Sequence, residues 1–192
     1  WKVFDPENGG FASRPKFPEA SKLALLIDIY KLSGNKKALH MAQLTLRKMA
    51  EGGIYDQRGG GFFRYTTDRQ WQMPHFEKML YDNGQLISLY SKAYQLHREE
   101  EFKTVVYETI NFIKRELMDE SGAFYSSLDA DSDGEEGKFY VWKPKEIQAV
   151  LETDYDLFAD YYNINTKGFW EHNKYILLRD KSDKEFCKKN GV

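Results

Sequence analysis

Apolar side chains recur at helical spacing in four blocks of this chain, and the breaks between blocks fall on glycine and proline. Leu23, Leu26, Ile27 and Tyr30 form one stripe, which predicts a helix from Pro18 to about residue 32. Gly34 ends it, and Asn35 supplies an N-cap for a second helix over about 36–51. That helix turns Leu39, Ala42, Leu46, Met49 and Ala50 inward and stops at Gly52-Gly53. Pro74 suits a first helical position and predicts a third helix to about residue 98. A fourth, over about 101–118, repeats Phe102, Val105, Val106, Ile110, Ile113 and Leu117. Residues 62–65, 122–125 and 138–142 read as short strands, the last two flanking an acidic turn. Pro144 opens a shorter helix to about 151, and residues 154–162 predict another. The tail from Lys167 leaves a strand at 175–178 and a short final helix open.

These blocks repeat. Helix, short turn, helix and Gly-Gly-Ile-Tyr55 are followed by helix, short turn, helix and Gly-Ala-Phe-Tyr125, about 70 residues further on. A single hairpin cannot bury both faces of its helices, so neighbouring hairpins must stack. Stacking in a closed ring gives an α/α toroid around a cavity; stacking in a line gives an α-solenoid. The expected fold is mostly α, part of an (α/α)6 toroid with short β-hairpins in the loops at one end.

The 28 Lys+Arg nearly balance the 30 Asp+Glu of this 192-residue chain, which gives no electrostatic reason to expect nucleic acid or a membrane surface as partner. No apolar run approaches the roughly 20 residues that span a bilayer, and no signal-peptide pattern opens the chain. The single cysteine, Cys187, forms no internal disulfide, so a cytoplasmic location is expected. The chain begins at Trp1 without Met and ends on Cys187-Lys-Lys-Asn-Gly-Val192, as a piece of a longer protein would. An arc lacking its later hairpins would expose an apolar edge and self-associate through it.

Four ordered blocks carry a resemblance: Gly9-Gly-Phe-Ala-Ser-Arg-Pro-Lys-Phe-Pro18, Gly52-Gly-Ile-Tyr-Asp-Gln-Arg-Gly-Gly-Gly-Phe62, Trp71-Gln-Met-Pro-His-Phe-Glu-Lys-Met-Leu-Tyr-Asp-Asn83, and the stretch from Gly122-Ala-Phe-Tyr-Ser-Ser-Leu-Asp129 to Lys138-Phe-Tyr-Val-Trp142. They resemble the YyaL-like, spermatogenesis-associated family. The resemblance implies a toroid related to N-acylglucosamine 2-epimerases and six-hairpin glycosidases, preceded by a thioredoxin-like domain. That domain, with its cysteines, would lie before Trp1, so no redox activity is implied for these residues. Residues 143–192 carry the resemblance only weakly.

Three constellations could carry chemistry. The first is the start of the third helix, where His75 and Asp82 would lie about 20° and about 10 Å apart. There Glu77 and Tyr81 would face another side, and Asn83 would be a buried amide in need of partners. His75 and Glu77 would serve as an acid/base pair for an epimerase or glycosidase. The competing account makes His75 a packing residue, with Glu77 and Asp82 favouring the helix dipole. The second is Asp129-Ala-Asp131-Ser-Asp133-Gly134, the front half of an EF-hand loop whose twelfth position is Tyr140 instead of Glu. A tight turn projecting Asp129 and Asp131 towards a cavity is expected, with no metal and no cofactor. The third is the Gly-aromatic loop, where Tyr55, Asp56, Arg64, Tyr65 and Trp71 either contact a sugar or plug the end of the ring. Two functions follow: a carbohydrate-active or sugar-binding domain, or a non-catalytic scaffold for an attached thioredoxin-like domain.

The acidic loop lacks a closing bidentate ligand, so millimolar calcium should leave the melting temperature unchanged. A rise of several degrees, reversed by chelator and abolished in Asp131→Ala, would show a metal site there.

Overall fold

The computed structural model describes residues 3–11 and 14–191. Helices α1 (Ala20–Ser33) and α2 (Lys36–Glu51) form one hairpin, and α3 (Leu80–His97) and α4 (Glu100–Phe112) form a second. Helix α1 packs on α2 and α3, α3 on α4, and α2 on α4, so the hairpins stack as two layers, α1/α3 and α2/α4. Local chemistry sets the turns. The Asn35 side chain accepts from the N–H groups of Lys37 and Ala38 at 3.0 and 3.1 Å, and Gly34 closes α1 with φ +68°.

The core lies between the layers. Tyr90 of α3 is fully buried, stacks on Phe62 at 5.4 Å and meets the edge of Phe102 at 5.5 Å. Its hydroxyl donates to the Leu46 carbonyl at 2.7 Å, so the ring is buried without an orphaned polar atom. Buried side chains of this size each contribute about 1.5–3 kcal/mol. Leu25 and Leu32 of α1 are exposed.

The third helix begins six residues later than its proline suggests. Residues 74–79 are extended instead. Strand β1 (Tyr65–Thr66) pairs antiparallel with β2 (Pro74–His75), and β3 (Lys78–Met79) pairs with β4 (Ser127–Leu128). Pro74, Phe76 and Lys78 are buried while His75, Glu77 and Met79 are partly exposed, a period of two. The segment's backbone bonds reach outwards, from the Arg64 N–H to the Glu77 carbonyl at 2.8 Å and from the Leu80 N–H to the Ser126 carbonyl at 2.9 Å. A helix starting at Pro74 would forfeit these bonds to both loops. His75 and Asp82 therefore share no helix, and their expected helical spacing does not apply.

Smaller corrections have similar causes. The acidic segment is itself the hairpin, β5 (Asp131–Ser132) with β6 (Glu135–Glu136), and the flanking 122–125 and 138–142 are not paired strands. Only Phe124 bridges Met118, and Trp142 bridges Tyr175. The strand expected at 62–65 falls instead on Tyr65–Thr66. The last turn of the fourth helix, Ile113–Leu117, widens to a π-helix. Helices α5 (Pro144–Leu151), α6 (Tyr155–Tyr161) and α7 (Asp183–Asn190) follow. Residues 176–178 are buried without forming the strand left open for them, and Arg179 docks the tail by bonding Glu101 at 2.9 Å and Asp183 at 3.0 Å. No helix of the described residues is long and apolar enough to cross a membrane.

One buried ion pair locks the Gly-rich loop to this frame. Lys78 Nζ lies 2.7 Å from Asp56 Oδ2 and donates to the Gly60 carbonyl at 2.9 Å. It sits 4.8, 4.3 and 4.8 Å from the ring centres of Phe63, Phe112 and Tyr140. Asp56 Oδ1 accepts from the N–H groups of Arg58 and Gly59 at 3.0 and 2.8 Å. Burial pushes the Lys78 ammonium below the usual lysine value, against the pull of Asp56. Removing one partner strands the other charge, so Asp56→Ala should cost about 3–5 kcal/mol in urea unfolding. The double variant Asp56→Ala/Lys78→Met should recover much of that loss. An Asp56→Ala chain as stable as wild type would show the pair to be idle.

Candidate functional site

Alternation along 74–79 sends His75 and Glu77 to one side and Phe76 and Lys78 to the other. On the first side Arg64 Nη1 donates to Glu77 Oε2 at 2.7 Å, while the buried Arg64 Nε makes no hydrogen bond. Asp82 stands half-buried in the first turn of α3. Its carboxyl is pushed up to about 6, first by burial; Glu77 also raises it, and Arg64 and Tyr81 pull it down. A carboxyl in that range exchanges a proton near neutral pH. Tyr81 is exposed beside it.

His75 adjoins this cluster and is held on both sides. Its ring stacks on Tyr65 at 4.9 Å, and Nδ1 lies 2.8 Å from Glu136 Oε1. Tyr65 in turn packs on Phe17 at 4.9 Å. The acidic hairpin thus reaches the cluster through Glu136, whose register partner is Asp131. Asp129 and Asp131 are exposed, and Asp129 Oδ1 accepts from the Asp131 N–H at 3.2 Å in an Asx-type turn. Asp133 pairs with Lys138 at 2.9 Å and Glu135 with Lys174, so these carboxylates are spent on lysines. Among the described residues no group of three or more His, Cys, Asp or Glu is placed to hold a metal ion.

A cavity also opens between α1 and α3. Gln85 and Leu89 follow Asp82 at three and seven residues, on one face of α3. With Ser88, Lys92 and Ser21 of α1 they line a cavity of about 170 Å³ between α1 and α3. Hydroxyl, amide and ammonium groups line it, beside the apolar Ala20, Ala24 and Leu89.

Other residues singled out from the sequence are structural. Trp71 is fully buried, and its Nε1 donates to the Asn8 carbonyl at 2.9 Å while Lys16 lies 4.6 Å over its ring. Tyr55 is buried and donates to Glu108 at 2.6 Å. Asn83 clasps the chain of Phe62, accepting from its N–H at 2.7 Å and donating to its carbonyl at 3.0 Å. The need of a buried amide for partners is met there. Asp56 lies on the far side with Lys78. Lys78 itself was missed, because a helix from Pro74 would have placed it on a solvated flank. The sequence around it, His75-Phe-Glu-Lys-Met79, carries no clean alternation that would have marked it.

No family model matches the chain. It is 47% identical over 159 residues to spermatogenesis-associated protein 20 of Homo sapiens, covering 77% of this chain and 20% of that protein. It is 36% identical over 186 residues to an uncharacterized protein of Caenorhabditis elegans, covering 86% of this chain and 25% of that one. The chain thus spans about a fifth to a quarter of the length of these relatives. Among solved structures it resembles a sugar epimerase from a ruminal bacterium (TM-score 0.59, 18% identity, 79% of this chain and 43% of that one). It also resembles cellobiose 2-epimerase from Bacillus thermoamylovorans (TM-score 0.59, 16% identity, 67% of this chain and 36% of that one). A family 76 glycoside hydrolase from a bovine Bacteroides thetaiotaomicron strain matches at TM-score 0.52 and 19% identity, over 62% of this chain and 25% of that one. At these identities the structural likeness fixes the fold, that of the (α/α)6 toroids. Over the stretch it shares with them, the chain is a homologue of spermatogenesis-associated protein 20.

Proposed function

We propose that the face formed by the N-terminal end of α3 and the β1–β2 ribbon binds a carbohydrate, with Asp82 as its proton carrier. The observation that carries this reading is a half-buried carboxyl poised at about 6 beside the Arg64–Glu77 ion pair. Arg64 and Glu77 would hold sugar hydroxyls, Tyr81 and Tyr65 would present ring faces, and the α1/α3 groove would take the rest of the ligand. His75 would adjust the rim, since Glu136 and Tyr65 fix its ring. The fold supports this by analogy, because its structural neighbours include sugar epimerases. The reaction that fits one proton carrier is proton removal and return at the carbon next to a sugar carbonyl.

A second reading, a non-catalytic binding module, is favoured by one observation. Glu77 is tied to Arg64 and His75 to Glu136, which leaves Asp82 the one carboxyl of this cluster without an ion pair among the described residues. Under that reading the cluster orders a ligand without reacting with it, and Asp129 and Asp131 serve only the turn.

Deuterium incorporation at C2 of reducing sugars in D2O, followed by NMR, separates the two. Catalysis predicts exchange that falls by about a hundredfold or more in Asp82→Asn. Saturable sugar binding without exchange would favour the binding module, and neither would sink both. Asp82 also has a stability signature. Its carboxyl holds its proton more tightly in the fold, at about 6, than at the ordinary aspartate value of 3.8. Stability should therefore fall as pH rises between about 4 and about 6, and Asp82→Asn should flatten that slope in urea unfolding.

A further inference from the structure

We infer that the cavity beside Lys78, closed by the end of α4, is a second binding site, for a sugar bearing a single phosphate or carboxylate. It lies on the Lys78 side of the 74–79 segment, away from Glu77, and has a volume of about 310 Å³. That is enough for a monosaccharide-sized ligand.

Charge points to an anion. Three cations line the cavity, Arg58, Lys78 and Arg115, against two carboxylates, Asp56 and Glu116. Two of the cations are spent. Lys78 is paired with Asp56 at 2.7 Å; Arg115 Nε lies 2.6 Å from Glu116, and its Nη2 donates to the Gly59 carbonyl at 2.7 Å. Arg58 is exposed and forms no salt bridge with any described residue. One positive charge is left over, on a planar fork whose paired donors match a carboxylate or phosphate.

Shape points to a ring. Phe139 is 76% exposed at the cavity, with its ring edge-on to Tyr140 at 5.2 Å, and Trp142 lines the same wall. A large aromatic ring held in water offers an apolar face on which a sugar ring stacks. The backbone adds an independent sign. Arg115 and Glu116 both line this cavity from a π-helical segment, Ile113–Leu117. Such segments concentrate at functional sites. The sugar body of the ligand rests on the proposed function; the anion rests on these charges alone.

Isothermal titration of the chain with glucose 6-phosphate, glucuronate, glucose and inorganic phosphate tests the site. Arg58 and Phe139 are exposed, so Arg58→Gln and Phe139→Ala leave the core intact. The expected result is binding of glucose 6-phosphate or glucuronate at least about tenfold tighter than of glucose. Arg58→Gln should weaken it by about tenfold or more, and Phe139→Ala should weaken it as well. Which of the two anions binds tighter names the source. Asp82→Asn should leave the affinity unchanged, which keeps this site separate from the α3 cluster. Three results would overturn the inference: no binding of either anion at millimolar concentration, affinity indifferent to Arg58→Gln, or affinity lost in Asp82→Asn. Binding of inorganic phosphate as tight as that of the sugar phosphate would remove the sugar from it.

Discussion

The buried pair of Lys78 and Asp56 is the interaction on which the rest of this structure depends. An ammonium removed from water and ringed by Phe63, Phe112 and Tyr140 is tolerable only with a carboxylate and a carbonyl in reach. Asp56 meets that need from the Gly-rich loop, and its second oxygen folds the same loop through the N–H groups of Arg58 and Gly59. The loop can lie so close because Gly61 has φ +82° and a Cβ there would sit 2.4 Å from the Phe112 ring. Lysine, loop and the end of α4 therefore hold one another in place.

Fixing Lys78 inward also fixes its neighbours outward. With β3 paired to β4 and β2 paired to β1, the 74–79 segment joins both Gly-aromatic loops, and its period of two makes it a wall with two different faces. One face carries Glu77 with Arg64, and α3, which starts directly after this segment, sets Asp82 beside them. The other carries the cation cage and the larger cavity. A single strand register thus separates the Glu77 side from the Lys78 side, and slipping it by one residue would exchange the two.

The electrostatics of the two faces follow from what each can bury. Asp82 has no ion pair among the described residues, so burial dominates and its carboxyl rises towards neutral. Asp5 shows the opposite balance. It is buried too, but hydrogen bonds from Asn8 and Glu7 and the charge of Lys16 outweigh burial and hold its carboxyl at about 2. The same residue type thus holds its proton more tightly in one place and stays an anion in another. The chemistry is set by the donors each site supplies.

The sequence by itself determined the helices and their hairpins, because apolar spacing, the Asn35 cap and Gly34 are local signals that act within one turn. The kinship of the blocks at residues 52–83 and 122–142 was equally legible, as was the need of Asn83 for partners. Tertiary structure alone decided the segment from Pro74 to Met79. Its local preference was helical, and it became extended because two loops distant in sequence offered it backbone bonds. That choice moved His75 and Glu77 off the helix, made Lys78 a buried keystone, and left Asp82 to define the cluster. It also turned Tyr55 and Trp71 from candidate ligand contacts into core, while leaving Tyr125, the repeat partner of Tyr55, exposed. Burial is a property of what packs against a residue, and for these positions the packing partners lie dozens of residues away.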